Sequence, residues 1–236
     1  MRVGLMLPVF ERTPDPALMV ARLAEEAGID GVFSYDHMFP INRPDRPALA
    51  SIPMLSAAAV ATDRIRLGPL VSRVTLLPPT VLVGAMATLN ELSGGRVIAG
   101  IGTGDSLTAA ENNAYGLEFP PLDERLRVLA DTSRALRQWG VTTWIGGRSR
   151  AVKDLAASEA DGWNAWDGSM EEVAAFARQG RAEVSWAGPP PANGDFATHL
   201  RRVAQAGPTW TIYGPPPSID WPRFVSQLAE AAETVR

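Results

Sequence analysis

The chain has 236 residues, with 22 Lys and Arg against 26 Asp and Glu, so its formal net charge is −4. Apolar residues make up 46% and charged residues 20%, a composition typical of a folded globular domain and not of a disordered chain. A mildly acidic chain lacks the positive field that nucleic-acid binding needs, so we expect no nucleic-acid partner. Without cysteine, disulfides and thiolate chemistry are excluded, and two histidines, His37 and His199, are too few for a histidine-rich metal site.

No segment resembles an export signal or a membrane span. The first apolar run, 3–7, is short and is followed by Pro8, unlike the apolar region of a signal peptide. The longest apolar stretch, 67–89, contains Arg73 and two consecutive prolines, which is not typical of a spanning helix. We therefore expect a cytoplasmic protein with no membrane partner.

Short apolar runs alternate with longer stretches of helical periodicity along the whole chain. The predicted strands, in chain order, are 3–7, 31–35, 65–71, 96–101, 141–145, 162–166, 182–186 and 208–213. The predicted helices, in the same order, are 15–27, a segment containing 57–61, 80–92, 123–139, 149–158, a segment opening at Ser169, 196–206 and a segment opening at Asp220. Residues 102–122 are predicted as a long loop, and Pro215-Pro216-Pro217 as a stiff connection.

Three helix starts carry recognisable capping signals. Asp15 is predicted to cap the first helix, and Asp220 the last. Ser169 with Glu172 three residues later is the pattern of a capping box. Eight strand–helix units in one chain of this length predict an α/β fold, a compact (β/α)8 TIM barrel formed as a single domain over 1–236. A doubly wound parallel sheet would show the same alternation and is the alternative.

In a barrel of this type the site lies where the strands end, so the residues after each strand are the candidates. Gly146-Gly147-Arg148-Ser149 follows the fifth strand and opens a helix. Free backbone N–H groups and the helix dipole suit a phosphate there, and Arg148 adds charge. The alternative is an ordinary β-to-α turn with Ser149 as the N-cap.

Two further clusters follow the fourth and second strands. In Gly102-Thr103-Gly104-Asp105, the glycines would let a flat ring approach the backbone, Thr103 offers a hydroxyl and Asp105 is a candidate acid or base. The alternative is a tight turn capped by Asp105. Asp36-His37 places the side chain that titrates near neutral pH beside a carboxylate, which suits proton transfer, unless His37 is a structural residue under the following loop.

Four other residues invite a functional interpretation and are given a structural one. His199 lies beside Arg201-Arg202, which predicts a solvated helix face. Trp163 and Trp166 are expected to pack within the barrel. Arg96 precedes a strand, at the face of a barrel that serves stability, and is assigned no chemistry.

Taken together, these clusters resemble the bacterial luciferase-like monooxygenase superfamily, and its F420-dependent branch more than its FMN-dependent branch. The resemblance covers nearly the whole chain. Its motifs are Gly4-Leu5-Met6-Leu7-Pro8, Asp36-His37, Arg64-Ile65-Arg66-Leu67-Gly68, Gly102-Thr103-Gly104-Asp105-Ser106, Asp123-Glu124-Arg125-Leu126, Trp144-Ile145-Gly146-Gly147 and Ala160-Asp161-Gly162-Trp163-Asn164.

The resemblance implies a TIM barrel, a homodimer, and coenzyme F420 bound in the mouth of the barrel with a small organic substrate. It implies proton handling by Asp36, His37 and Asp105, and a phosphate contact at Gly146 to Ser149. It also implies a non-prolyl cis peptide behind the cofactor ring, for which Val71-Ser72 is the nearest match.

The chain also departs from the family pattern. Trp139-Gly140 runs almost directly into the fifth strand, so an insertion found there in many members is missing. Ile41 stands where some F420-dependent members have an aromatic residue, and Thr103 where the FMN branch often has an arginine. The resemblance therefore implies an F420-dependent oxidoreductase, with an FMN-dependent monooxygenase or a non-catalytic flavin-binding barrel as alternatives.

Overall fold

The computed structural model describes residues 1–215 and 220–236. The strands in these ranges are β1 (Arg2–Met6), β2 (Gly31–Ser34), β3 (Arg66–Pro69), β4 (Ser72–Arg73), β5 (Ile98–Gly102), β6 (Thr142–Gly146), β7 (Gly162–Trp166), β8 (Glu183–Gly188) and β9 (Trp210–Tyr213). The helices are α1 (Asp15–Glu26), α2 (Ser51–Ala61), α3 (Pro79–Leu92), α4 (Ser106–Ala114), α5 (Leu122–Gln138), α6 (Arg150–Glu159), α7 (Met170–Ala177), α8 (Phe196–Gln205) and α9 (Trp221–Ala232). The predicted proline connection lies outside the described residues at Pro216 and Pro217.

All strand pairs are parallel, and their order β3-β2-β1-β9-β8-β7-β6-β5-β4 runs around a nearly closed barrel. The two ends of this order meet because β3 and β4 are two pieces of one barrel strand, and Leu67 of β3 bridges to Val97 before β5. Eight barrel positions alternate with helices, which confirms the predicted (β/α)8 barrel.

Two apolar cores hold the barrel together. The inner core fills the barrel with large side chains, namely Met6, Phe33, Leu70, Ile98, Trp144, Ala187, Trp210 and Ile212. The outer core lies between the strands and the ring of helices and includes Val3, Leu5 and Ile145, which point away from the barrel axis. Alternation of inward and outward side chains along β1, where Met6 and Leu5 belong to different cores, is the expected period of a strand.

The structure differs from the predicted elements in three places. The predicted strand 65–71 is interrupted after Pro69, so β4 begins at Ser72. Helix α4 lies in the predicted long loop, where Asp105 caps it. Asp15 is the first residue of α1 and makes no capping hydrogen bond, whereas Asp220 caps α9 by accepting from the Arg223 N–H.

The capping box predicted at Ser169 is only half present. The Ser169 hydroxyl accepts from the Glu172 N–H as expected. The Glu172 carboxylate, however, contacts Arg148 at 2.9 Å and Lys153 at 3.1 Å, because two cations attract it more strongly than one backbone N–H.

The prediction for His199 was wrong. Its Nδ1 lies 2.7 Å from the Tyr213 hydroxyl and its ring lies against Trp186, so the side chain is half-buried between α8 and the barrel. Burial lowers the pKa of His199, and the nearby Arg202 lowers it further. Arg96, by contrast, donates to the carbonyl groups of Ala59, Thr62 and Ile65, which is the structural role expected of it.

Candidate functional site

The predicted site residues come together at one end of the barrel. Asp36 and His37 follow β2, Val71 and Ser72 lie where β3 passes into β4, and the others lie at the ends of β5 and β6. These strands lie next to one another in the sheet order once β3 and β4 are counted as one position. The register places Arg73 opposite Gly102, and Gly102 opposite Gly146. These strands end at the same level, so the loops that follow them share one mouth.

Val71 forms the floor of this mouth. The peptide bond before it, Leu70–Val71, is cis, one bond earlier than the Val71-Ser72 position predicted from the resemblance. The Val71 side chain packs against the inner core and lies over Gly102 and Gly146. A Cβ atom on Gly146 would stand 2.6 Å from Val71 Cγ1, and one on Gly102 would stand 2.8 Å from Val71 Cγ2. Both glycines therefore make room for Val71, whereas the sequence predicted that Gly102 makes room for a ring.

Arg125 holds the loop that follows β5. Its guanidinium Nη1 donates to the Thr103 carbonyl oxygen at 2.9 Å and to the Gly104 carbonyl oxygen at 2.8 Å, and the group stacks 4.0 Å from the centre of the Phe119 ring. The Thr103 hydroxyl, predicted as a donor to a ligand, donates instead to the Gly104 carbonyl. The backbone carbonyl groups of this loop therefore have hydrogen-bond partners within the protein.

Asp105 has the capping role that was the alternative to its catalytic one. One carboxylate oxygen accepts from the backbone N–H groups of Leu107 and Thr108, and the Thr108 hydroxyl accepts from the Asp105 N–H. These reciprocal bonds form a capping box at the start of α4. Asp105 is nevertheless exposed, and its second carboxylate oxygen takes no part in the cap.

The turn 146–149 leads from β6 into α6. Ser149 accepts from the Val152 N–H and is the N-cap, which leaves the first N–H groups of the helix without partners inside the helix. Trp163 supports the turn by donating its indole N–H to the Gly147 carbonyl oxygen at 2.7 Å, and it is fully buried as predicted. The Arg148 side chain is half-exposed and bends towards Glu172.

A buried charge cluster lies beside the floor of the mouth. His37 Nδ1 is 2.9 Å from Glu111 Oε2, and the other oxygen of Glu111 accepts from the Met38 N–H. Arg73 Nη2 lies 2.7 Å from Glu111 Oε2, and both side chains are 3% exposed. Burial alone raises the pKa of Glu111, but His37, the Met38 N–H and Arg73 outweigh burial and hold this pKa below its ordinary value. Glu111 is therefore ionised at neutral pH.

Asp36 belongs to the same cluster and behaves in the opposite way. Burial raises the pKa of Asp36 above its ordinary value, although the Ser72 hydroxyl, Arg73 and His37 act to lower it. Two neighbouring carboxyl groups thus have pKa values that are moved apart by their surroundings, which is a common feature of sites that transfer protons.

One side of the mouth is aromatic. Phe10 stacks on Tyr35 with ring centres 5.5 Å apart, and Tyr35 meets Trp166 edge to face at 5.5 Å. We call Phe10, Tyr35 and Trp166 the aromatic wall. His37 lies next to it, 6.3 Å from the Tyr35 ring. Trp166 is 38% exposed, so the prediction that it packs inside the barrel was wrong.

Sequence analysis missed three residues of this site. Arg73 was visible after the third strand, but nothing local identified its partner. Glu111 lies within the segment predicted as a loop and Arg125 lies just after it. The contact of Glu111 with Arg73 spans 38 positions, and those of Arg125 with Thr103 and Gly104 span 22 and 21. The Asp105–Thr108 capping pattern was the one local signal for α4, and with it the spacing from Thr108 to Glu111 places both on one helix face.

The described part of the chain contains no helix with both the length and the apolar character needed to cross a membrane. Comparison with known families matches residues 1–142 to the luciferase-like monooxygenase model. The chain therefore belongs to the luciferase-like monooxygenase family.

Several curated proteins are similar to this chain in sequence. The F420-dependent glucose-6-phosphate dehydrogenase of Beutenbergia cavernae is 39% identical over 126 residues, which are 53% of this chain and 37% of that protein. The enzyme of the same name from Kineococcus radiotolerans is 34% identical over 139 residues, 58% of this chain and 40% of that protein. The chain thus spans about two fifths of the length of the curated relatives it matches.

Solved structures share the whole fold at low sequence identity. An F420-dependent secondary alcohol dehydrogenase in complex with an F420-acetone adduct superposes with a TM-score of 0.83 at 15% identity, covering 100% of this chain and 99% of that one. The coenzyme F420 dependent tetrahydromethanopterin reductase from Methanopyrus kandleri gives a TM-score of 0.77 at 15% identity, covering 98% and 97%. At this identity the likeness concerns the fold.

Proposed function

We propose that this protein is an F420-dependent oxidoreductase that transfers a hydride between C5 of the bound deazaflavin and a small organic substrate. The observation that carries this proposal is the layout of the mouth. An apolar floor at Val71 lies between a buried proton-handling cluster at His37 and a helix N-terminus at Ser149. Sequence relatives that are named F420-dependent glucose-6-phosphate dehydrogenase support the choice of cofactor.

The residues present fit an F420 group. Val71 offers the apolar surface that a flat ring system needs. Gly102 and Gly146 have no side chain that would push Val71 away from them, so they fix the position of that surface. Gly146, Gly147, Arg148 and Ser149 lie where a phosphate would meet free N–H groups and the positive end of the α6 dipole. Thr103 and Gly104, fixed by Arg125, would border the ring, and Asp36 and Ser72 lie beside the floor.

His37 is the residue we assign to proton transfer. It lies between the aromatic wall and the charge cluster, with its side chain 17% exposed, so it is shielded but reachable. Imidazole has one nitrogen that can accept a proton and one that can donate a proton, which suits a group that transfers protons. Asp105 is the second candidate, since its carboxylate is exposed at the same mouth.

The aromatic wall is where we place the substrate. Phe10, Tyr35 and Trp166 come from three strand ends and present a continuous ring surface next to His37. Such a surface favours a small organic molecule with an apolar face.

Helices α2 and α3 support a homodimer. They pack side by side and carry apolar residues towards solvent, with Val60 82%, Leu92 65% and Val81 52% exposed. Gly84 lies on the same face with open space above it, so a partner helix could approach closely.

We expect Val60→Glu to shift the protein from dimer to monomer in analytical ultracentrifugation. Trp139→Gln, at an exposed apolar residue just after α5, is the control, and a Val60→Glu dimer of unchanged stability would contradict the proposal.

Titration of the protein with F420 and separately with FMN, followed by quenching of fluorescence, tests the cofactor assignment. Binding of F420 in the micromolar range or tighter, with weak FMN binding, is the expected result. Preferred binding of FMN would replace the proposal with an FMN-dependent monooxygenase. Binding of neither cofactor would favour a non-catalytic barrel.

A further inference from the structure

The hydrogen bond between His37 and Glu111 has a defined donor and a defined acceptor. An ionised carboxylate has acceptor atoms only, so the 2.9 Å contact from Nδ1 to Glu111 Oε2 requires the hydrogen to sit on Nδ1. A neutral imidazole carries one N–H, and if it is on Nδ1 then Nε2 is the atom that can accept a proton. The second oxygen of Glu111 is held by the Met38 N–H, which keeps the carboxylate from rotating away.

We propose that Glu111 is a positioning residue for His37: it selects the Nδ1–H tautomer and aims Nε2 as the proton-exchanging atom of the site. This inference deepens the proposed function and rests on it for its catalytic meaning. A carboxylate orients a histidine in the same way in a hydrolase triad; here the carboxylate lies on α4 and the histidine in the loop after β2.

Arg73 is what allows Glu111 to act in this way. A lone carboxylate that is 3% exposed would be driven to its neutral form, which could donate a hydrogen to Nδ1 and select the wrong tautomer. Arg73 lies 2.7 Å from Glu111 Oε2 and is itself held by the Thr108 carbonyl at 3.0 Å and the Asn112 Oδ1 at 2.9 Å. Helix α4 therefore supplies Glu111 and also two groups that fix its counter-charge.

The charged and titratable groups around His37 come from several elements. Asp36 precedes it, Arg73 lies at the end of β4, Glu111 lies on α4 and Tyr35 belongs to the aromatic wall. Asp105 adds a negative charge near Arg73. Among these, Glu111 is the group in direct contact with the imidazole, so its charge has the largest effect on protonation of the ring.

Nitrogen-15 NMR of the histidine rings in the full chain tests the proposal. The chain has only two histidines, and His199→Gln removes the second set of signals. We expect His37 to show the Nδ1–H tautomer at neutral pH. In Glu111→Gln we expect a mixture of tautomers and a titration midpoint that falls by about one pH unit or more, because a favourable negative charge is lost. An unchanged tautomer and midpoint in this variant would overturn the proposal.

Two further variants keep the test informative. Glu183→Gln is the matched control, since Glu183 also pairs with an arginine, Arg2, at 3.2 Å, but at the opposite end of the barrel. We expect His37 to be unaffected in it. If Glu111→Gln does not fold, Glu111→Asp retains a negative charge in the cluster and, by shortening the side chain by one methylene, moves the carboxylate from its position beside His37. A mixture of tautomers is expected there too, and a pure Nδ1–H tautomer would overturn the proposal.

Kinetics separate this inference from the proposed function. In Glu111→Gln, kcat should fall while the KM for F420 stays within about twofold, and the pH profile should move with the NMR midpoint. If the NMR result holds but F420 does not bind, the proposed function fails and the positioning role stands. If F420 turnover is found and the His37 tautomer is unchanged in Glu111→Gln, the positioning role fails and the function stands.

Discussion

The Trp163 indole donates to the Gly147 carbonyl oxygen at 2.7 Å, and this bond ties a buried side chain of β7 to the turn proposed to bind the cofactor phosphate. The turn is thus held by a residue of the outer core. Its charged residue, Arg148, is held from the side by Glu172 at 2.9 Å. A phosphate at this turn would therefore compete with a carboxylate for Arg148.

Arg148→Gln should weaken binding of F420 and leave binding of its phosphate-free deazaflavin fragment unchanged. A hydrogen bond to a charged group contributes about 1.5–3 kcal/mol, so we expect the Kd for F420 to rise roughly tenfold to a hundredfold. Fluorescence titration with both ligands measures this. The neighbouring Arg150, whose side chain is 95% exposed, supplies the control variant Arg150→Gln. Equal loss for both ligands would show that Arg148 acts on the fold of the turn instead of on phosphate.

Gly146→Ala should disturb the floor of the mouth. The added methyl group would stand 2.6 Å from Val71 Cγ1, so Val71 must move. We expect a lower melting temperature and weaker F420 binding. Val71→Ala in the same chain removes the clash and should restore the melting temperature without restoring binding, because the apolar floor is then lost. Normal F420 binding by the double variant would contradict the role given to Val71.

His37→Ala should lower turnover far more than cofactor affinity. Removing a general acid or base typically lowers the rate by about 10²–10⁴-fold, whereas His37 contributes little to holding the ring over Val71. Steady-state kinetics with F420, together with a fluorescence Kd, separate the two effects. His199→Ala is not a clean control, since that ring packs on Trp186 and bonds Tyr213, so His199→Gln is preferred. Equal turnover in His37→Ala would remove His37 from the mechanism and leave Asp105 as the candidate.

Asp36→Asn should raise the stability of the protein at neutral pH. Burial raises the pKa of Asp36, so the folded state binds the proton more tightly than the unfolded chain does. The stability contributed by this group is therefore greatest at acid pH and is lost as the pH rises from about 3.8 through the folded-state pKa. At pH 7.5 the neutral amide of Asp36→Asn avoids this loss of stability. If the free energy of unfolding rises by about 1 kcal/mol, the melting temperature should rise by roughly 2–4 °C.

Thermal melts at two pH values test this prediction. The difference between Asp36→Asn and the parent protein should be largest near pH 7.5 and should vanish below the ordinary pKa of an aspartate. A lower melting temperature for the variant at neutral pH would show that Asp36 is stabilised by Arg73 and His37 more than it is destabilised by burial.

How much of this site could be predicted from the sequence depends on how local each signal is. The barrel follows from the alternation of strands and helices, since each element carries its own periodicity. The interruption of the third strand had one local signal, Pro69, which cannot donate a hydrogen bond to a neighbouring strand, but it was passed over because 65–71 has no polar or charged residue after Arg66. The partnership of His199 with Tyr213 was missed because it joins a helix to a strand 14 positions later.

Helix α4 was missed for a physical reason as well. Its buried residues are Thr108, Glu111 and Asn112, so it has no apolar stripe for a pattern of hydrophobicity to reveal. Arg73 and Glu111 were not recognised as site residues for a related reason. The role of each depends on its ion pair with the other, and the two residues are 38 positions apart in the sequence.

A helix that is held to the barrel by ion pairs can unfold locally under conditions that leave the apolar core intact. Because Arg73, His37 and Glu111 carry the attachment of α4, its amide protons should exchange with deuterium sooner than those of the barrel strands. The pKa of Glu111 is lowered in the folded state, so its contribution is present above the ordinary glutamate value and is lost as the pH falls through the folded-state pKa. Acid should therefore unfold α4 before the rest of the barrel. Mass spectrometry should then show faster deuterium uptake in the 106–114 peptide at a pH at which the barrel strands remain protected.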